Sequence, residues 1–146
     1  MWSKPPPKAS GHTYAQKAGL RYERKALRHL STLHPNFLEH LPFIFISEGA
    51  RKTAIPDGIC FAKSLEHLTI IEIKLKHTVE AWQQLNLLYL PVVARAFPKH
   101  KIKLLEVVRW FEPDLELPGK TMQVLDASMH FESDDFDYGI YIWSDR

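Results

Sequence analysis

Two short stretches of the chain carry side chains whose types and spacing could support chemistry. One is the Pro56-Asp57 step, and the other is an apolar run, Leu68 to Leu75, that contains Glu72 and Lys74. Successive side chains of a β-strand point to opposite faces, so Glu72 and Lys74 would share one face of such a strand. If Asp57 lies at the same end of the sheet, two carboxylates and one ammonium group converge on one small volume.

This combination of groups suits the binding of a divalent cation. Two carboxylates held close together repel each other unless they bind a proton or share a cation. A hard ion such as Mg²⁺ prefers oxygen ligands and is commonly bound by one or two carboxylates together with a substrate phosphate. The ion can activate a water molecule and stabilise the charge that develops on an attacked phosphate, and a neighbouring lysine can stabilise the same charge. Asp57, Glu72 and Lys74 are therefore suited to hydrolysing a phosphodiester.

These residues, Pro56-Asp57 followed by Glu72-Ile73-Lys74, resemble the signature of the PD-(D/E)XK nuclease superfamily, which includes restriction endonucleases, Holliday-junction resolvases and recombination exonucleases. Fourteen residues separate Asp57 from Glu72, which suits the hairpin on which the family carries its signature. The resemblance implies that Asp57 and Glu72 bind Mg²⁺ or Mn²⁺ together with the main-chain carbonyl of Ile73. It also implies that Lys74 orients the attacking water or stabilises the charged transition state.

The segment from Tyr14 to about Leu33 is predicted to be a helix, because its apolar residues recur on one broad stripe. Many members of the superfamily direct a glutamate of their first helix into the metal site, and the run from Gly19 to Glu23 resembles that element. Glu23 is therefore a candidate metal ligand. The alternative is a surface glutamate that pairs with a neighbouring arginine, an interaction of about 0.2–0.5 kcal/mol.

A second helix is predicted from Thr78 to Leu90, with Thr78 as its N-cap. Several branches of the superfamily carry a glutamine on this helix, where it supports the catalytic site or contacts DNA. Gln84 fits that position best and Gln83 is a close second, whereas a polar surface glutamine is the alternative. Gln84 and Tyr89 also resemble the Gln-Tyr pair of the recombination exonucleases, with a spacing that differs by one residue.

Four strands complete the predicted core, and Pro56 makes the second one irregular because proline cannot donate to a strand ladder. These strands are Leu41 to Ser47, Arg51 to Phe61, Leu68 to Leu75 and Ile102 to Trp110. Together with the two helices they give an αβββαβ order over residues 14–110. That order matches the restriction endonuclease-like core of the superfamily, an α/β fold with a mixed sheet flanked by helices.

The two ends of the chain differ from this core in composition. Residues 1–13 are predicted to form an exposed basic arm, which leaves residues 14–146 as a single domain. After the core, short strands are predicted at Thr121 to Leu125 and at Tyr138 to Trp143. The acidic segment between them, Asp126 to Asp137, is interpreted as a solvated loop, because it lacks the form of a glycine-bearing calcium loop.

Two groups of basic residues are candidates for binding the phosphates of DNA. One group lies on the predicted solvent side of the first helix, and the other leads into the last core strand. They are Arg21, Arg24, Lys25 and Arg28 in the first group and Lys99, Lys101 and Lys103 in the second. For the second group, the alternative is a set of solvated lysines at the end of a strand.

The composition is that of a soluble globular domain, with 146 residues, 45% hydrophobic and 25% charged residues, and a net charge of +2. The single cysteine, Cys60, excludes an internal disulfide and suits a reducing compartment. No apolar run approaches the roughly 20 residues that span a bilayer, and the N-terminal sequence lacks the apolar region of a signal peptide. We therefore expect no membrane association and a cytoplasmic location, or the host cytoplasm for a phage protein.

The sequence thus favours a Mg²⁺- or Mn²⁺-dependent deoxyribonuclease. With no separate recognition domain, a structure-selective or phage recombination enzyme is expected, and a branched or palindromic DNA substrate would favour a homodimer. The first alternative is a non-catalytic DNA-binding or complex-assembly module that retains the nuclease fold. The second is an unrelated α/β protein in which Glu72 and Lys74 are an ordinary surface pair.

Overall fold

The computed structural model describes residues 13–76, 78–110, 122–125 and 137–144. Most of the predicted basic arm and of the predicted acidic loop lies outside the described residues. The helices and strands are α1 (Tyr14–Leu33), β1 (Phe37–Glu39), β2 (Phe43–Ser47), β3 (Ala50–Ala54), β4 (Gly58–Phe61), β5 (His67–Lys76), α2 (Val79–Gln83), a π-helical segment (Gln84–Tyr89), α3 (Leu90–Ala96), β6 (Lys101–Trp110), β7 (Met122–Leu125) and β8 (Tyr138–Ile142). The three helical segments from 79 to 96 follow one another without a break, and we call them the second helix.

The described strands form one mixed sheet and one separate hairpin. The sheet has six strands in the order β1-β4-β5-β6-β8-β7. Within it, β1, β4 and β5 are antiparallel neighbours, whereas β5, β6, β8 and β7 run parallel to one another. The hairpin consists of β2 and β3 alone. The protein is therefore a mixed α/β fold with a mixed sheet, as the sequence predicts.

Different helices cover the two faces of this sheet. Leu30 of α1 lies in one apolar cluster with Ile71 of β5, whereas Leu85 of the second helix lies in another cluster with Ile70. Odd-numbered and even-numbered residues of β5 thus face opposite layers, as predicted for an alternating strand. By the same alternation, Glu72 lies on the face of Ile70, beneath the second helix.

Helix α1 occupies the predicted range because its start is capped and one face is apolar. The Thr13 hydroxyl accepts a hydrogen bond from the Gln16 main-chain N–H, and the Gln16 side chain accepts one from the Thr13 N–H. This reciprocal pair is a capping box. The buried residues of the helix are Tyr22, Ala26, Leu27 and Leu30. Glu23 therefore follows directly on a residue of the buried stripe.

The second helix begins at the predicted cap, where the Thr78 hydroxyl accepts a hydrogen bond from the Ala81 N–H at 3.1 Å. It continues to Ala96, six residues past the predicted end at Leu90. Residues 91–97 are predicted to finish the helix and turn the chain, and Pro91 is accommodated after a π-helical turn, in which the Leu90 N–H donates to the carbonyl of Leu85. The helix therefore continues through the proline. None of the helices in the described part of the chain is both long and apolar enough to cross a bilayer.

The predicted strand from Arg51 to Phe61 is in fact two strands, β3 and β4, separated by Ile55-Pro56-Asp57. The ladder breaks at Pro56, which has no N–H to donate, and β3 turns back onto β2 instead of joining the main sheet. β1 was not predicted, since its three residues are too few to show a periodic pattern. The predicted strands Leu68 to Leu75 and Ile102 to Trp110 lie within β5 and β6.

Candidate metal-binding and catalytic site

Asp57 is held against β5 by a hydrogen bond to the main chain. Its Oδ2 accepts a hydrogen bond from the Ile73 N–H at 2.7 Å, and its main-chain carbonyl accepts one from the His40 N–H at 3.1 Å. The irregular Ile55-Pro56-Asp57 link makes this possible, because it directs the side chain of Asp57 across to the neighbouring strand. Asp57 therefore lies beside Glu72, as the sequence predicts.

Glu72 is only 3% exposed, although it carries a carboxyl group. Its Oε2 atom is buried and has no hydrogen-bond partner among the described residues. Buried polar atoms are nearly always paired, so an unpaired carboxylate oxygen in this position suits coordination of a cation.

Asp57 and Glu72 influence each other strongly. Burial raises the pKa of Asp57 to about 7, and the hydrogen bond and charge of Glu72 act in the same direction, whereas the Ile73 N–H lowers it. Two carboxyl groups this close cannot both carry an unshielded charge in a buried site. The pair is therefore set to share either a proton or a cation.

Glu23 of α1 joins this pair from the other side. The ligand atoms of Glu23, His40 and Asp57 all lie within 4.8 Å of one another, and His40 Nε2 is 3.1 Å from Glu23 Oε1. Burial, followed by the charge of Asp57, raises the pKa of Glu23. Glu23 thus meets the predicted site, and its closest ionic contact in the described residues is His40 rather than an arginine.

Lys74 and Ile73 line a cleft of about 300 Å³ between α1 and the end of β5, which also includes Glu23. The predicted lysine, the predicted carbonyl donor and one candidate carboxylate thus border the same opening. A larger cavity of about 820 Å³ lies between the β2-β3 hairpin and the second helix and is lined mainly by apolar residues. We place the site beside the smaller cleft, because Glu23, whose carboxylate lies close to Asp57, lines it together with Lys74.

Gln84 and Tyr89 both belong to the π-helical segment above β5. The Oε1 of Gln84 is buried and unpaired within the described ranges, whereas Gln83 is exposed. The hydroxyl of Tyr89 donates a long hydrogen bond, 3.4 Å, to the carbonyl of Ile55. Burial, followed by the charges of Glu72 and Asp57, raises the pKa of Tyr89, so its hydroxyl lies close to both carboxyl groups.

The two predicted basic groups differ in their relation to the site. The residues on α1 are all exposed and share the helix with Glu23; they are Arg21, Arg24, Lys25 and Arg28. In the second group Lys99 and Lys101 are exposed, but Lys103 is 1% exposed and does not reach the surface. Lys101 pairs with His67, five residues before Glu72, and is therefore roughly 16 Å away along the strands. The structure does not bring this group to the carboxylates.

Sequence reasoning missed His40 and Glu106. His40 lies after β1 with a φ of 53°, and nothing in the sequence distinguishes it from the other seven histidines. Glu106 is the partner of Glu72 in the parallel ladder between β5 and β6. Only a partial signal for Glu106 was present, because Leu-Leu-Glu-Val-Val at 104–108 also places a glutamate inside an apolar strand but lacks the lysine that accompanies Glu72.

The donor set of the site consists mainly of carboxylate oxygens with one imidazole, which suits Mg²⁺ or Mn²⁺ better than a thiolate-binding metal. The residues that meet are Glu23, His40, Asp57 and, through Asp57, Glu72. A scan of protein-family models, a search of curated proteins and a search of solved structures found no match to this chain. The interpretation of the site therefore depends on its geometry and chemistry.

Proposed function

We propose that the protein is a Mg²⁺- or Mn²⁺-dependent deoxyribonuclease of the PD-(D/E)XK type. The observation that carries this proposal is the contact between the Ile55-Pro56-Asp57 link and β5, where Asp57 accepts a hydrogen bond from the Ile73 N–H beside a buried Glu72 with an oxygen that has no partner among the described residues. A surface pair of charges, the alternative for Glu72 and Lys74, would leave Glu72 in solvent, and it is buried.

In this proposal Asp57, Glu72 and Glu23 hold the cation together with the Ile73 carbonyl. The bound cation would supply the activation of water and the stabilisation of phosphate charge. Lys74, at the border of the cleft, would hold the attacked phosphate by its charge. Gln84 would support the carboxylates from the second helix, where its buried oxygen has no other partner among the residues described.

The order of elements supports a restriction endonuclease-like core. Helix α1 precedes the link that carries Asp57 and the strand that carries Glu72, and the second helix connects β5 to the parallel strand β6. The sheet also contains β1, β8 and β7, which enlarge such a core at both edges.

DNA as the substrate is supported by the exposed basic side of α1, the helix that also carries Glu23. A phosphate backbone attracted to Arg21, Arg24 and Arg28 would pass close to the site. The net charge of +2 is small, so binding must come from this local distribution.

The proposal is tested by incubating the purified protein with supercoiled, linear and four-way-junction DNA in Mg²⁺ or in EDTA. We expect cleavage only in Mg²⁺, and we expect Asp57→Ala and Lys74→Ala to lower the rate at least about 10²-fold while circular dichroism is unchanged. Lys63→Ala, in an exposed turn, is the matched control for loss of a lysine. Preference among the three substrates tests structure selectivity, and sedimentation of the DNA-free protein tests the expected homodimer.

Other outcomes separate the alternatives. Unchanged turnover of Lys74→Ala would refute the catalytic assignment. Metal-independent DNA binding without nicking would indicate a non-catalytic module with the same fold. The absence of both Mn²⁺ binding and protection of DNA would indicate an unrelated α/β protein.

A further inference from the structure

The cleft between α1 and the end of β5 has a glycine in its wall. Gly19 is an interior residue of α1 and lines this cleft together with Glu23 and Lys74. Apart from proline, glycine is the least favourable residue inside a helix. A glycine at such a position therefore needs an explanation in packing, in backbone conformation or in the binding of a ligand.

Neither packing nor backbone conformation requires a glycine at position 19. Apart from its chain neighbours and the nearby backbone of its own helix, no atom of the described residues lies within 4 Å of a Cβ added there. The backbone of Gly19 is that of an α-helix, which any residue other than proline adopts without strain. The missing side chain therefore leaves open space in the wall of the cleft.

The size and lining of the cleft suit one nucleotide. Its volume of about 300 Å³ is at the lower end of the range for pockets that hold small ligands. Leu20 and Leu75 provide apolar surface for a sugar or a base, and Lys74 provides a positive charge for a phosphate. The strands of a duplex are paired side by side, so a nucleotide enters so small a cleft only after it is unpaired.

We propose that the cleft binds one unpaired nucleotide of a DNA strand and that Gly19 is a specificity-determining residue, because it leaves the space which that nucleotide occupies. The substrate class is then single-stranded DNA, or the unpaired ends and branches of a duplex. Glu23, whose carboxylate lies close to Asp57, borders the same cleft, so the bound strand passes beside the proposed cation site. Cleavage of that strand rests on the proposed function, whereas its binding is measured separately.

The test measures two properties of a fluorescein-labelled strand of thymidines. Its binding is followed by fluorescence anisotropy in Ca²⁺, an ion that carboxylate sites also bind, and its cleavage is followed in Mg²⁺. We expect wild type to bind the single strand at least about tenfold more tightly than the duplex, because unpairing costs free energy. Gly19→Ala should weaken binding of the single strand about tenfold, and Gly19→Leu should weaken it further. Gly19→Ala should also raise the melting temperature by about 2–4 °C, whereas a purely structural role would not combine higher stability with weaker binding.

Ala15→Leu adds bulk at an exposed position of the same helix outside the cleft and is the control. Binding of the single strand by Gly19→Leu with wild-type affinity would overturn the inference, as would wild-type binding of the duplex as tight as that of the single strand. If Gly19→Leu does not fold, Gly19→Ala decides by the same criterion. Cleavage that depends on Asp57 but not on Gly19 leaves the proposed function standing without the inference. Binding of the single strand that depends on Gly19, with no cleavage, overturns the proposed function alone, and the absence of both binding and cleavage overturns both.

Discussion

Opposing effects act on the pKa of Asp57. Burial and Glu72 raise its pKa from 3.8 to about 7, while the Ile73 N–H favours the carboxylate. Between these two values the folded protein holds a proton that the unfolded chain has released. The free energy of unfolding therefore falls as pH rises through this range, and the loss reaches about 4 kcal/mol once Asp57 is ionised.

Asp57→Asn should accordingly stabilise the metal-free protein, because asparagine accepts the Ile73 hydrogen bond without ionising. The gain in the free energy of unfolding should be larger at pH 8 than at pH 5, by about 3 kcal/mol. Urea unfolding in EDTA at the two pH values measures the difference. Glu66→Gln, whose carboxyl is exposed, should show no comparable dependence. Equal gains at both pH values would show that Asp57 is not held as a buried acid.

A bound cation should narrow the difference in stability between wild type and Asp57→Asn at pH 8. Mn²⁺ at about 100 times its dissociation constant should stabilise wild type by about 2.7 kcal/mol, whereas Asp57→Asn has lost a charged ligand and should respond little. Thermal unfolding with and without Mn²⁺ measures both responses. If Mn²⁺ stabilises wild type and Asp57→Asn equally, the cation binds at a site that does not include Asp57.

At the residue scale, the sequence was sufficient where residue type and spacing are both unusual. A carboxylate and a lysine two residues apart in an apolar strand made Glu72 and Lys74 candidates, the Pro-Asp step made Asp57 one, and the structure brings Asp57 and Glu72 together. Glu106 was missed because a lone glutamate in an apolar strand carries no second polar residue beside it. His40 was missed because its contact with Glu23 depends on a turn whose path the sequence does not specify.

At the element scale, the position of Asp57 depends on how closely β1 approaches β4. A Cβ atom added to Gly58 would lie 2.5 Å from Cε2 and 2.6 Å from Cζ of Phe37, which belongs to the buried cluster under α1. Only glycine leaves room for the ring there. The glycine after the Pro-Asp step thus permits β1 to pair with β4 beside the site.

Gly58→Ala should therefore lower the free energy of unfolding by about 1–3 kcal/mol, the usual range for overpacking a core. Phe37→Leu should relieve the clash, so the double variant should be less destabilised than the sum of the single variants, with a coupling of about 1 kcal/mol. Gly19→Ala is the matched control, since its Cβ meets nothing within 4 Å and alanine favours the helix. If the effects of Gly58→Ala and Phe37→Leu on the free energy of unfolding simply add, the two positions are not in contact.

The second helix reaches the Asp57 segment through Tyr89, whose hydroxyl bonds the carbonyl of Ile55 two residues before Asp57. Tyr89→Phe should lower kcat/KM for DNA cleavage about tenfold, because the segment loses its tie to the helix, while stability changes by at most about 1 kcal/mol. Tyr14→Phe, at a residue that is 83% exposed, is the control. If Tyr89→Phe cleaves DNA with wild-type kinetics, the Tyr89 hydroxyl has no role in the site beyond packing.

The long elements were predictable and their breaks were not. α1, β5 and β6 follow from periodic apolar patterns over eight or more residues, and the Thr78 cap marks the start of the second helix. The π-helical turn at 84–89 was not predictable, because a widened turn leaves no local signature in a helical sequence. The separation of β2-β3 from the main sheet could not be predicted either, because strand partners are chosen by tertiary packing.

At the scale of the whole molecule, the C-terminal strand is tied to the helix that carries Glu23. The Tyr22 hydroxyl donates to the main-chain carbonyl of Trp143 at 2.9 Å, and the ring of His29 stacks on that of Trp143 at 4.6 Å. His29 Nε2 also lies 3.1 Å from the hydroxyl of Tyr141. The placement of Glu23 therefore depends on contacts made more than a hundred residues later in the chain.

This junction should respond to pH with the sign opposite to that of Asp57. Burial, followed by the charge of His34, lowers the pKa of His29, so below about pH 6.5 the unfolded chain binds a proton that the folded protein does not. Acidification through this range should then destabilise the fold, and the effect should be clearest in Asp57→Asn, where the opposing contribution is absent. We expect the melting temperature of Asp57→Asn to fall between pH 7.5 and pH 5, and the fall to be smaller when His29→Gln is added. His100→Gln, which removes a histidine packed on Phe61 and Phe97, is the control and should leave the fall in melting temperature unchanged. If the melting temperature falls equally with and without His29, the junction does not sense pH.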